Sequence, residues 1–169
     1  MVQILERVRY FPGKLMSVED FQNEQSYLLN RLRRLNRHVQ GWGIVDGLGV
    51  SVSDANEVVI SPGLAIDCAG NEIAVAEPVR LPICIGEGRL YVAICYREMG
   101  VGAIPAAGGF EFSRIREGAE VTLALADPGI GHRSIGPGTP GCGQAHPLCL
   151  ARLERLRQRW QVRKVRHGG

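Results

Sequence analysis

Between residues 17 and 41 the apolar side chains recur at helical spacing. Phe21, Leu28, Leu32, Leu35 and Val39 lie 7, 4, 3 and 4 positions apart, a heptad-like seam interrupted by Gln25. Pro12-Gly13 marks a turn before them, and Ser17-Val18-Glu19-Asp20 is a capping box with Asp in place of the usual Glu or Gln. Glu19 and Asp20 complement the positive end of a helix, Arg31, Arg33, Arg34, Arg37 and His38 its negative end, and Gly41 stops it. The spacing therefore predicts a helix ending near Val39. Three heptads are marginal for an independent coiled coil, so two packings stay open: the stripe lies on the chain's own sheet, or it meets copies of itself about a symmetry axis. Tyr27, Leu29 and Leu32 widen the apolar surface enough for both.

From Gly41 onward the period becomes extended. Ile44-Val45 and residues 48–52 straddle an Asp46-Gly47 turn signal. Residues 58–60 lead through Ser61-Pro62-Gly63 into 64–68, and Ala69-Gly70-Asn71 turns the chain into 72–75. Residues 79–81 make a short strand between Pro78 and Pro82. Residues 90–96 form the strongest strand, apolar enough to be central, and 120–125 form another. Residues 99–109 and 127–143, rich in Gly and Pro, read as long surface loops. The stretch 148–165 is ambiguous. Leu150, Leu153, Leu156 and Trp160 have helical spacing, whereas Leu148, Leu150 and Arg152 alternate as a strand that Trp160-Gln161-Val162 would pair as a hairpin. No βαβ pattern occurs. The expected fold is mainly β, an antiparallel barrel or sandwich with one N-terminal helix (α+β). Residues 1–40 carry the N-terminal segment and helix, and 41–169 the β domain of a single folding unit.

Composition narrows the class. At 169 residues, 45% apolar and 22% charged, the chain suits one globular domain with its own core. Its apolar runs fall far short of the roughly 20 residues needed to span a bilayer. Glu6, Arg7 and Arg9 stand where a signal peptide would be apolar, so the expectation is a cytoplasmic protein with no membrane attachment. Charge is segregated. Residues 1–40 hold seven Lys/Arg against four Asp/Glu, residues 41–147 six against twelve, and residues 148–169 seven against one. Basic ends around an acidic body admit nucleic-acid binding, but 6% aromatic content and no alternation of basic with aromatic residues argue against it.

Few residues suggest chemistry. Five cysteines in a chain without a visible leader are expected as thiols, with Cys84 and Cys95 buried among apolar neighbours. Cys142-x3-His146-x2-Cys149, completed by His132, has soft and borderline ligands for a structural zinc ion, although its spacing matches no familiar pair of Cys-x2-Cys ligands. No GxxxxGK[ST] loop or GxSxG elbow occurs, and Gly41-Trp42-Gly43 and Gly47-Leu48-Gly49 do not open a helix. Asp67 and Glu72 flank one turn, where turn chemistry and solvation account for them. Nothing here has the pattern of an active site, and no catalytic residue is expected.

Several segments together resemble a known family. Residues 9–21 (RYFPGKLMSVEDF) are similar to a "YF-x-G-Q-L-L-x-x-x-D-F" opening, and the similarity continues through Glu24-Gln25-Ser26-Tyr27, Arg34-Leu35-Asn36-Arg37 and residues 41–50 (GWGIVDGLGV). Residues 60–67 (ISPGLAID) and Gly70-Asn71-Glu72-Ile73 resemble "V-x-P-G-x-A-I-D-x-x-G-x-x-I", and residues 148–153 (LCLARL) resemble a closing "V-x-L-A-R-V" strand, which favours β for the C-terminal stretch. The family is that of baseplate and tail-fibre structural proteins of phage tails and contractile injection systems. The resemblance implies a non-enzymatic assembly subunit, trimeric, with other particle subunits as partners and no catalytic residues or cofactor to carry over. Fibre proteins continue into shafts or receptor-binding domains, whereas this sequence stops at Gly169, so a docking or adaptor unit is the expectation. In such an assembly Phe21, Leu28, Leu32, Leu35 and Val39 form the helix seam. Arg31, Arg34, Arg37, Arg157, Arg159 and Arg163 form a basic surface for acidic neighbours. Tyr10, Phe11 and Trp42 are expected to pack the helix ends onto the β domain. A zinc-stabilised binding module and a nucleic-acid-binding protein are the alternatives.

Overall fold

The computed structural model describes residues 5–84, 88–128 and 141–165. Helix α1 (Val18–Leu35) runs into a π-helical turn (Asn36–Gln40), so helical backbone ends just before Gly41, as the stop signal predicts. Ten strands follow among the described residues: β1 (Gly43–Gly47), β2 (Val50–Val52), β3 (Glu57–Ile60), β4 (Gly63–Ile66), β5 (Glu72–Val75), β6 (Val79–Pro82), β7 (Arg89–Ala106), β8 (Gly109–Ala124), β9 (Leu148–Leu156) and β10 (Arg159–Lys164). They pair antiparallel in three sheets of order β1-β4-β5, β2-β3-β6 and β10-β9-β7-β8. The chain is thus mainly β, with a single α-helix among the described residues.

The core follows from the two-residue period. Val58 and Ile60 of β3, and Ile73 and Val75 of β5, point inward while their neighbours face out. They meet Leu90, Val92 and Ile94 of β7 and Leu148, Leu150 and Leu153 of β9, with Trp42 and Trp160 closing the cluster. Each aliphatic side chain buried there contributes about 1.5–3 kcal/mol. β9 breaks the alternation, and residues 148–151 are all buried. Val92 pairs with Ala151 but Ala93 with Cys149, which leaves Leu150 as the extra residue of a β-bulge facing the core.

Several expectations need correction. Asp46-Gly47 is not a hairpin: β1 pairs with β4 and β2 with β3, so the chain changes sheets at Leu48-Gly49. Leu48 takes a left-handed backbone (φ 53°) there, and complete burial of its side chain offsets that cost. Residues 99–106 and 109 are strand, joined by a two-residue turn at 107–108, rather than a long loop. β7 and β8 stay paired from Tyr91↔Ala124 to Ala106↔Gly109, because residues 110–116 supply an alternating partner along the whole length. The Phe112 ring lies over Gly100, where any side chain would overlap it. Residues 148–165 form the β9–β10 hairpin, with Arg157 and Gln158 both at positive φ in a two-residue turn. Trp42 is buried as expected, but Tyr10 and Phe11 are exposed. Cys84 is exposed and Cys95 only half-buried, since each sits near the end of core-facing strand.

Candidate assembly interface

Helix α1 begins with the reciprocal capping box that the sequence announces. Asp20 N–H donates to Ser17 Oγ at 3.2 Å and Ser17 N–H to Asp20 Oδ2 at 3.1 Å, while Lys14 Nζ adds an ion pair to Asp20 Oδ1 at 3.0 Å. The Ser17 N–H first, and the Lys14 ammonium second, hold the Asp20 carboxyl below the usual carboxylate range.

The apolar seam does not pack on the chain's own sheet. No residue of α1 is buried, and Phe21, Leu28, Leu32, Leu35 and Val39 are each 46–59% exposed. The reason is how the helix meets the β domain: its polar links lie at the C-terminal end. Asn36, buried, donates from Nδ2 to the Gly70 carbonyl at 3.1 Å. Gly70 (φ 91°) approaches so closely that a Cβ there would overlap the Arg33 carbonyl. Arg33 Nη2 reaches Glu98 Oε1 of β7 at 3.1 Å and its guanidinium lies 5.9 Å from the Tyr96 ring centroid. Tyr96 OH donates to the same Glu98 oxygen at 2.7 Å. Burial, then the Glu98 and Glu117 carboxylates, push the Tyr96 phenol well above its ordinary pKa.

The helix turns a polar stripe toward its own chain. Asn23, Tyr27, Asn30, Arg34 and Arg37, spaced 4, 3, 4 and 3, line a cleft of about 1040 Å³ closed by residues 5–8, Tyr96 and the 67–71 turn. Arg7, Arg31 and Arg33 join them, so five guanidinium groups share the cleft with one carboxylate, Glu6. Arg37 Nε is buried there with no hydrogen-bond partner among the described residues, and its Nη2 lies 3.1 Å from His38 Nε2. Three of the arginines expected in a basic surface, Arg31, Arg34 and Arg37, thus come together. Arg157, Arg159 and Arg163 belong elsewhere, to the β9–β10 hairpin, where Arg163 is paired with Glu154 at 3.7 Å. Sequence reasoning missed Arg7 and Tyr96, which only the fold brings in. The polar heptad stripe beside the apolar one was available as a signal.

A second exposed surface is the outer half of the β7–β8 hairpin. β9 pairs with β7 only as far as Ile94, so beyond it the two long strands project as a two-stranded arm. Met99, Ile104, Phe110, Phe112 and Ile115 are at least half exposed along it. At its base Arg97 and Glu120 form an ion pair across the strands.

Of the four candidate zinc ligands, Cys142, His146 and Cys149 lie among the described residues. His132 lies outside the described residues, and no cluster of three or more His, Cys, Asp or Glu suited to a metal occurs among the described ones. Cys142 instead faces Cys68, with Sγ–Sγ 3.3 Å, a pairing no sequence spacing indicates. Asp67 accepts from the Ala69 and Asn71 backbone N–H groups, each at 2.9 Å, which is the turn chemistry expected of it. No described helix is long and apolar enough to cross a membrane.

No family model and no curated protein matches the sequence. Solved structures do share its fold. A chain of the TssK–TssF–TssG baseplate subcomplex of the type VI secretion system is similar with a TM-score of 0.55 at 13% identity, over 95% of this chain and 60% of that one. The crystal structure of TssK is similar with a TM-score of 0.50 at 13% identity, over 95% and 41%. This chain therefore spans less than two-thirds of the length of either, and at such identity the likeness is one of fold.

Proposed function

We propose that this protein is a non-enzymatic structural adaptor subunit of a phage-tail-like particle, a baseplate or fibre-docking component of a contractile injection system. It assembles with two further copies of itself through α1, and its arginine cleft receives an acidic surface of a neighbouring subunit. The observation that carries this reading is the orientation of α1. An ordinary amphipathic helix buries its apolar stripe and exposes its polar one; here the polar stripe faces the chain's own cleft and the apolar seam faces out. A heptad seam is self-complementary, so a second copy is the simplest partner to cover it. The shared fold with chains of a secretion-system baseplate and the motif similarity of residues 9–73 support the particle context.

Native mass spectrometry of the wild type and of the double variant Leu28→Asp/Leu35→Asp tests the self-assembly. The wild type is expected as an oligomer, and the double variant as a monomer with an unchanged β signal in circular dichroism. A wild type that stays monomeric at its highest soluble concentration would sink the reading.

A further inference from the structure

Segment 141–143 is pressed against the turn between β4 and β5. Gly143 N–H donates to the Cys68 carbonyl at 3.1 Å and Cys142 N–H points at Cys68 Sγ at 2.9 Å. A Cβ at Gly141 would overlap the same Cys68 carbonyl, so the two stretches of backbone touch. The turn itself is held firmly: Asp67 accepts from the Ala69 and Asn71 backbone and, at 2.7 Å, from Asn71 Nδ2, and Asn36 caps Gly70. Into this contact project two thiols 74 positions apart in sequence with their sulfurs 3.3 Å apart, Cys68 buried and Cys142 exposed.

We infer that Cys68 and Cys142 form a thiol–disulfide site, oxidised by a small-molecule disulfide of the glutathione class, that cross-links segment 141–143 to the β4–β5 turn. A disulfide has S–S near 2.05 Å, so roughly 1.2 Å of approach is needed, within reach of side-chain rotation at the exposed Cys142. Cys142 is the accessible nucleophile. Its thiolate attacks one sulfur of oxidised glutathione, forming a mixed disulfide and releasing one glutathione thiolate. Cys68 then gives its proton to solvent and attacks the Cys142 sulfur, expelling the second glutathione. Two protein thiols are oxidised and one glutathione disulfide is reduced to two thiols. The bond would fix Gly143, which faces the Arg37 guanidinium, as part of the cleft wall. This site is independent of the assembly reading.

The test uses the whole reduced protein, treated with oxidised glutathione, quenched with iodoacetamide and measured intact and after proteolysis. The expected product has lost about 2 Da, one hydrogen from each of the two thiols, before alkylation of its remaining cysteines is added, and yields a peptide pair joined through Cys68 and Cys142, neither of them alkylated. Cys142→Ser, at an exposed position, abolishes that pair, whereas Cys149→Ser keeps it. Four results overturn the inference: no reaction, a glutathione adduct that persists on Cys142, a cross-link to another cysteine, or a tightly bound zinc ion that must be chelated before oxidation proceeds.

Discussion

Tyr96 stands where α1 meets β7, with its ring beneath the Arg33 guanidinium and its hydroxyl on Glu98. Burial and two neighbouring carboxylates both disfavour the phenolate, so the folded-state pKa lies above the unfolded value of about 10. A raised pKa means that the folded state retains the proton more tightly. The corresponding stability is fully present below about pH 10 and is lost as pH rises through the folded value. Absorbance titration at alkaline pH should therefore show one of the four tyrosines ionising last, and Tyr96→Phe should remove that final step. If the last step survives in Tyr96→Phe, the phenol is not held as described. Because Glu98 also pairs with Arg33, the same titration reports whether the end of the helix stays docked.

At the scale of elements, α1 and the β7–β8 arm differ in how local their causes are. The helix was legible because its capping box, arginine-rich end and Gly41 stop are all short-range signals. The helix's partner was not legible, because seam spacing is the same whether the stripe meets a sheet or another helix. The arm was missed for a physical reason. Residues 99–109 carry glycines that weaken any strand taken alone, and only pairing with Phe112 and its neighbours, set by register across the hairpin, makes them extended. Likewise the bulge at Leu150 and the Cys68–Cys142 contact depend on chain segments far apart in sequence. Residues 99–116 of the arm contribute no buried side chain. Replacing residues 100–115 with an Asn-Gly turn is therefore expected to change Tm by no more than about 3 °C. A larger loss in a thermal melt would show that the arm supports the core.

Over the whole molecule the charge is arranged so that helix and cleft concentrate positive potential, residues 41–147 carry the acidic excess, and the β9–β10 end is basic again. A concave site focuses its field, and arginines facing a shared cleft act together, whereas those on an exposed hairpin are screened singly by salt. Arg31, Arg34 and Arg37 should therefore outweigh Arg157, Arg159 and Arg163 toward an acidic partner, although both sets contain three arginines. A fluorescein-labelled decamer of glutamate is a direct probe. Arg31→Glu/Arg34→Glu is expected to weaken its binding at least tenfold in fluorescence anisotropy, with affinity falling as salt rises. The matched hairpin variant Arg157→Glu/Arg159→Glu is expected to weaken it less than threefold. Equal losses in the two variants would mean that net charge, and not the cleft, does the binding. Tighter binding of a single-stranded DNA oligonucleotide of the same charge would favour the nucleic-acid alternative. The Tyr27 hydroxyl at the cleft and its planar guanidinium groups suit carboxylates on a folded protein surface, and that preference is what the comparison reads.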